Sequence, residues 1–320
     1  MNILYISARN VLSDNYPYKY YGDLYRELRL SHNVYVYQDV VTNITEILHR
    51  HKHNNIDCVV FGLGYFAQKD SQVFSEIVGM RELSIPKIAY FHKPQTMLNE
   101  KLNFCKINNF DLFVDSQITY KKHGEIANCD SLRLPFVASE KEFYPRQVDK
   151  LYDVGFSGTM RLITPEGKVE GPTRDLRDRI YDKISMKNEY NLYWNAHNSS
   201  SDRISSIDAY ATKINQSKIW LATTGPTKDI SPRFFEVMLS KTLLFCNDMP
   251  YEYEGMFIDG ENCIMYRNDL TDFDEKLDYY LNNEDERNKI ISSAYNDAIK
   301  RYTWKCMADK LVSKIRGINK

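Results

Sequence analysis

Residues 214–247 read INQSKIWLATTGPTKDISPRFFEVMLSKTLLFCN, and the fold is decided there. A short apolar run, Lys218 to Leu221, enters a turn-rich loop from Thr223 to Ser231. A helix then opens at Pro232, and a second apolar run follows from Thr242 to Cys246. Ser231 suits an N-cap, and Pro232 suits the first helical position, where a missing N–H costs nothing. Arg233 and Glu236 are expected in the first helical turn, three residues apart on neighbouring faces. Strand, loop, helix N-terminus and strand is the layout in which α/β proteins hold ligands, at the carboxyl ends of parallel strands. Free N–H groups at such a helix suit phosphate oxygens, and an arginine adds a bidentate charged contact. A carboxylate beside them can accept from the two hydroxyls of a ribose. The stretch therefore predicts a pocket for a nucleotide.

Outward from this pocket the same alternation recurs. In the first half, Asn2–Ser7, Val34–Tyr37, Ile56–Gly62, Lys87–His92, Phe110–Asp115 and Leu132–Phe136 read as strands. Tyr20–Leu30, Asn43–Arg50, Ser71–Leu83 and Thr96–Ile107 read as helices between them. In the second half Tyr152–Ser157, Tyr190–Trp194 and Cys263–Tyr266 join the two apolar runs as strands. Helices are expected over Thr173–Ser185, Ile204–Ile214, Leu270–Leu281, Glu284–Tyr302 and Trp304–Ile315. Repeated β-α units with short connections predict parallel sheets covered by helices on both faces. The expected architecture is α/β, with two Rossmann-like domains facing across a cleft. The first spans 1–145 and the second 151–302. A C-terminal helix, 303–320, packs back on the first domain. The linker falls between Val137 and Leu151, where apolar periodicity stops and Pro145 lies among charges.

Composition narrows the function. The chain has 320 residues, two domains' worth, and its 43% hydrophobic and 27% charged content is globular. A formal net charge of −1 gives no basic field for nucleic acid. Six scattered cysteines without a C-x-x-C pair read as reduced thiols, which points to a cytoplasmic location. The start, MNILYISARN, lacks the basic and apolar regions of a signal peptide, and no apolar run is long enough for a membrane span.

The series DVGFSGTMR (residues 153–161), SKI-x-L (217–221) and SPRFFEVMLSKTLLFCN (231–247) resembles the C-terminal half of GT-B glycosyltransferases. Within these it is similar to the group-1/family-4 branch and its CgeB-like relatives, and the tail from Glu261 to Trp304 fits their usual ending. The resemblance covers most of residues 152–312, and the N-terminal half by pattern through NILYIS, the Gly22 turn and KIAYFH. It implies a glycosyltransferase that moves a sugar from a nucleotide diphosphate donor to an acceptor hydroxyl, retaining and metal-independent. The donor implied is a GDP-sugar such as GDP-mannose, with UDP-sugars open. Glu236 falls where the family's ribose-binding glutamate lies, and Arg161 where a basic residue meets the diphosphate. His92, ending the KIAYFH strand, falls where a histidine lies over the donor sugar; it is the catalytic candidate. One departure is clear. The second glutamate that family-4 enzymes carry eight residues earlier is Lys228 here, with Asp229 beside it.

Around these, Gly158 and Thr159 follow a strand and permit a phosphate to approach backbone. Gly22 and Gly225 sit in turns that can meet phosphate or acceptor. Tyr16, Tyr18 and Tyr20 can stack on acceptor sugars, and Trp194, Asn195 and His197 can border the nucleobase. Two metal-like strings are set aside. His49, His51 and His53 have no carboxylate or cysteine with them, and Asp272-Phe273-Asp274 is expected to cap a helix. No cofactor and no metal is expected. The partners are a nucleotide-sugar donor and a glycan, protein or small-molecule acceptor, with a homodimer open. A catalytically silent nucleotide-sugar-binding protein and a nucleotide-sugar epimerase of the same architecture are the alternatives.

Overall fold

A computed structural model describes residues 1–8, 19–51, 55–67, 71–91, 96–160, 172–187, 189–197, 204, 206–225 and 228–318. The chain divides into two units: Met1–Pro135 with Trp304–Lys320, and Phe136–Thr303.

The first unit holds β1 (Asn2–Ser7), α1 (Lys19–Ser31), β2 (Asn33–Gln38), α2 (Ile44–Arg50), β3 (Cys58–Phe61) and β4 (Lys87–Tyr90). Then come α3 (Leu98–Ile107), β5 (Leu112–Asp115), α4 (Tyr120–Ala127) and β6 (Asp130–Arg133). The six strands form one parallel sheet in the order β2-β1-β3-β4-β5-β6. The central strands CVVF, KIAY and LFVD are buried along their whole length. Near-continuous apolar runs of this kind belong to strands covered on both faces. Phe61 heads an aromatic cluster with Tyr65, Phe104 and Phe110, its ring centroid 4.9–5.9 Å from theirs. Each such ring contributes roughly 2–3 kcal/mol by leaving water.

The second unit holds β7 (Tyr152–Thr159), α5 (Pro172–Ser185), β8 (Leu192–His197), α6 (Ile207–Asn215), β9 (Ser217–Ala222) and α7 (Pro232–Leu239). It continues with β10 (Leu243–Asn247), β11 (Ile264–Tyr266), α8 (Phe273–Asn282) and α9 (Glu284–Arg301). Its parallel sheet runs β11-β10-β9-β7-β8. The chain then returns to the first unit as α10 (Trp304–Arg316), which packs on α1.

In both sheets the strand order reverses once, between β1 and β3 and between β7 and β9. Helices leave in opposite directions at such a point and open a crevice at the carboxyl ends of the two strands. Packing at the second reversal needs a residue without a side chain. Gly155 of β7 pairs with Trp220 of β9 and Tyr193 of β8. A Cβ there would lie 2.3 Å from Trp220 Cε3.

Three local expectations change. Ser71–Leu83 is not an α-helix: a 3-10 turn covers Ser71–Phe74, and Val78 bridges Asn43 instead. Gly79, at φ +80°, breaks the run, and the buried Asn108 side chain binds Ile77 N (2.7 Å) and Ser75 O (3.2 Å). Those are the backbone groups a helix would otherwise satisfy. A helix the pattern did not show, α4, occupies Tyr120–Ala127 and ends at Asn128 in the left-handed region. Asp272 precedes α8 without capping it. Its carboxylate accepts from Arg267 N at 2.9 Å and pairs with Lys276 at 3.2 Å, so it closes the turn before the helix.

Candidate active site

Helices that follow β7, β8 and β9 must begin at the carboxyl edge of the sheet. The N-terminal ends of α5, α6 and α7 therefore lie at one end of the unit, and four side chains from these helices meet there. Arg177, in the second turn of α5, donates from Nη1 to the carbonyl of Thr159 (2.6 Å), the last residue of β7. Its Nε donates to Thr223 Oγ1 (2.7 Å), one residue past β9. One guanidinium thus ties together the two strands at the reversal.

Arg233, the second residue of α7, donates from Nε to the Tyr210 hydroxyl at 3.3 Å. That hydroxyl donates to Glu236 Oε2 at 2.9 Å. Burial pushes the Tyr210 phenol well above its ordinary range, and the Glu236 carboxylate adds to the effect. Its O–H is therefore a donor throughout the working pH range. Glu236 itself is buried. It is the fifth residue of α7, in the second turn and not the first as the sequence suggested. The guanidinium carbons of Arg177 and Arg233 lie 5.7 and 6.0 Å from the centre of one ring, Phe156 of β7. Two cations within cation–π reach of a single ring concentrate positive charge at the reversal.

The loop between β9 and α7 is held from below. Asn247, ending β10, accepts from Thr224 N (2.9 Å) and donates to Thr224 Oγ1 (3.1 Å) and Asn268 Oδ1 (3.0 Å). Gly225 N donates to Asp229 O at 2.7 Å, and Lys228 N donates to Gly225 O at 2.9 Å. This tight turn places the exposed Lys228 at φ +60° and leaves Asp229 partly buried. Ser231 has the extended backbone of an N-cap, but its hydroxyl makes no capping bond. Its Oγ is buried without a hydrogen-bond partner among the described residues. No side chain closes the α7 N-terminus from that position.

The other expected residues divide. His92 and Arg161 lie outside the described residues, as do Tyr16, Tyr18 and His53. Gly158 and Thr159 end β7 beside Arg177. For Gly158 the close approach is to a side chain: a Cβ would lie 2.9 Å from Phe156 Cζ. Gly22 is the fourth residue of α1, not part of a turn, and a Cβ there would meet only the mobile end of Arg26. The Trp194 ring is partly buried and stacks on Phe156 at 4.3 Å, packed against the second unit's core. Arg177 and Tyr210 were not singled out from sequence. Arg177 is 18 residues from the carbonyl it binds, and Tyr210 is one of 24 tyrosines.

Residues 172–313 match the family described as "Glycosyl transferase-like". Sucrose-phosphate synthase from Thermosynechococcus elongatus has a similar fold over 99% of this chain and 98% of its own, at 9% identity and TM-score 0.62. HepE from Anabaena, in complex with UDP-glucose, aligns over 99% and 100%, at 10% identity and TM-score 0.57. A glycosyltransferase from Rickettsia africae aligns over 98% and 97%, at 12% identity and TM-score 0.60. These likenesses fix the fold. The chain has the GT-B fold, and residues 172–313 carry its glycosyl transferase-like segment. No curated protein sequence matches it. The matched segment contains Arg177, Tyr210, Arg233 and Glu236, the four side chains that converge at the strand reversal. Among its described residues no helix is long and apolar enough to cross a membrane.

Proposed function

We propose that the second unit binds a nucleotide-sugar donor at the β7/β9 reversal, and that the protein transfers the sugar to an acceptor hydroxyl. The observation that carries this reading is the pairing of Arg177 and Arg233 around Phe156, beside a buried carboxylate. In this reading the diphosphate lies against the arginines and the uncapped first turn of α7, where the helix dipole favours negative charge. Glu236 accepts from the ribose hydroxyls. As the glycosidic bond to phosphate breaks, negative charge grows on the leaving oxygen and the sugar takes on oxocarbenium character. Fixed guanidinium groups stabilise that charge without reorganising, so the reaction we propose needs no metal. The stereochemical outcome we assign is retention. Arg161 and His92 are proposed to contact the diphosphate and the donor sugar. Gly158 and Thr159 are proposed to lie beside the phosphates, and Gly225, Lys228, Asp229 and Ser231 beside the sugar.

Calorimetric titration with UDP-glucose, GDP-mannose, ADP-glucose and dTDP-glucose tests the reading and identifies the base. The resemblance favours guanine; Anabaena HepE, whose structure holds UDP-glucose, favours uracil. At least one donor is expected to bind, and Glu236→Ala is expected to weaken it about tenfold or more. Unchanged affinity in a folded Glu236→Ala variant refutes the ribose assignment. Release of free sugar from the bound donor separates a transferase from a silent binder.

A further inference from the structure

We infer that the first unit carries a second ligand site, a groove at the amino edge of its sheet that binds a neutral oligosaccharide. The groove is built by residues of the first unit alone and is independent of the donor reading. The sequence makes it by repeating one step. Asn109-Phe110-Asp111 leads from α3 into β5, and Asn128-Cys129-Asp130 leads from α4 into β6. In each step the asparagine is left-handed, at φ +52° and +56°. Its short polar side chain makes it one of the few residues that enter that region readily. The aspartate of each step then binds backbone at the edge of the sheet. Asp111 Oδ2 accepts from Lys87 N at 2.7 Å, and Asp130 Oδ1 from Ser131 N at 2.8 Å. Because β5 and β6 are parallel neighbours, the two steps lie side by side. The last turns of α10 form the facing wall, and the groove between holds about 680 Å³, within the range of sites for drug-sized ligands.

The charge of the groove is balanced. Lys310 and Lys314 of α10 line it together with Asp111 and Asp130, two ammonium groups with two carboxylates. Lys314 pairs with Asp130, and this bond holds the Asp130 carboxyl below its ordinary value, so the two remain ionised and neutralise each other. Burial, with Asp111 and Asp130 nearby, pushes the Cys129 thiol up to about 12. It therefore lines the groove as a neutral group and offers no thiolate to a metal or an electrophile. Such a groove gives neither a diphosphate nor a polyamine the Coulomb energy that would offset its dehydration. What it does offer is donors and acceptors in alternation. The Asn109 and Asn128 amides, exposed on the left-handed turns, each present a carbonyl and an NH2, and Ser313 adds a hydroxyl. Sugar hydroxyls donate and accept at once, so successive hydroxyls on a ring match a mixed set of this kind. Leu132 and Ile318, both half-buried, supply apolar surface for the C–H face of a ring. A neutral oligosaccharide is the ligand class that uses both features.

Calorimetric titration of the full chain with maltotriose, cellotriose and tri-N-acetylchitotriose tests the site, with pyrophosphate and spermidine as charged probes. At least one trisaccharide is expected to bind with a Kd of about 1 mM or tighter. Asn109→Gly combined with Asn128→Gly removes both amides while suiting the left-handed backbone, and should weaken that affinity about threefold or more. Ser313→Trp, at an exposed position of α10, fills the groove and should abolish binding. UDP-glucose and GDP-mannose titrations of the same variants should match wild type, which separates the groove from the donor site. Failure of all three trisaccharides to bind overturns the inference, whatever the donor titrations show. A trisaccharide that binds wild type and both variants equally also overturns it, by placing the sugar elsewhere. Pyrophosphate or spermidine binding that Ser313→Trp removes refutes the charge argument.

Discussion

Replacing Gly155 by alanine should damage both the fold and the site, and the structure gives the size of the effect. Gly155 sits mid-strand in β7 with Trp220 and Tyr193 as lateral neighbours. Their rings stack at 6.0 Å. An alanine Cβ would stand 2.3 and 2.5 Å from Trp220 Cε3 and Cζ3, and 2.5 Å from Ser217 Oγ. Ordinary contact begins near 3.4 Å, so the indole must move by roughly 1 Å or β7 must separate from β9. Trp220 is fully buried, so its displacement must be passed on to its neighbours. Overpacking of this kind costs about 1–3 kcal/mol, offset by the roughly 0.5–1 kcal/mol that alanine recovers over glycine in a strand. The net loss expected is about 1 kcal/mol, or a fall in Tm of about 2–4 °C for a unit of this size. Trp220 also supports the Tyr210 ring. Donor affinity should therefore fall as well, as part of the same displacement. Differential scanning calorimetry and a donor titration on the same preparation measure both effects. A variant with Tm within about 1 °C of wild type would show that the indole relaxes freely, and the packing argument would be wrong.

Two more outcomes follow from the same geometry. Arg177→Met removes the bonds to Thr159 O and Thr223 Oγ1, so nucleoside diphosphate affinity should drop about tenfold or more while affinity for the bare nucleoside holds; equal losses in the two titrations would place Arg177 away from the phosphates. Lys150 donates to Asn215 O and Ser217 O at 2.8 Å, and desolvation of its ammonium, with Arg287 nearby, lowers its pKa to about 8. Between that value and the ordinary 10.5 the unfolded chain holds a proton the folded chain has lost, so this group makes stability rise with pH across that window. Lys150→Met should flatten that rise relative to wild type in urea unfolding at pH 7.5 and 10; identical pH slopes would refute the lowered pKa.

The sheets were legible because their signal is local and repeated. CVVF is apolar throughout, and LFVD and LLFCN are apolar up to a polar last residue, as strands covered on both faces are. The segment Ser71–Leu83 misled for the opposite reason. Its apolar spacing suits a helix, but the groups that settle it are Asn108, some thirty residues on, and the left-handed Gly79. The site divides in the same way. Arg233 and Glu236 share one short helix with Pro232, so their proximity could be read directly. Arg177 and Tyr210 reach the same point from α5 and α6 by a tertiary route. Neither leaves a spacing in the sequence, and a tyrosine in so tyrosine-rich a chain draws no notice.

The two strand reversals bear on the proposal that the nucleotide rests on the second unit. Each sheet offers a crevice where its order turns, and topology alone does not choose between them. The side chains do. In the first unit β1 and β3 end in Ser7 and Phe61, and Arg26 of α1 is ion-paired to Asp23 on the same helix at 2.8 Å. The carboxyl end of β5 carries an anion, Asp115, whose Oδ2 lies 2.8 Å from His123 Nδ1 and whose Oδ1 accepts from Gln117 N. In the second unit two arginines from different helices converge on the end of one strand, next to a helix N-terminus that no side chain caps from Ser231. A diphosphate carries two or more negative charges and no apolar surface, so Coulomb energy in a partly desolvated site decides where it rests. That term favours the second unit at each of these points.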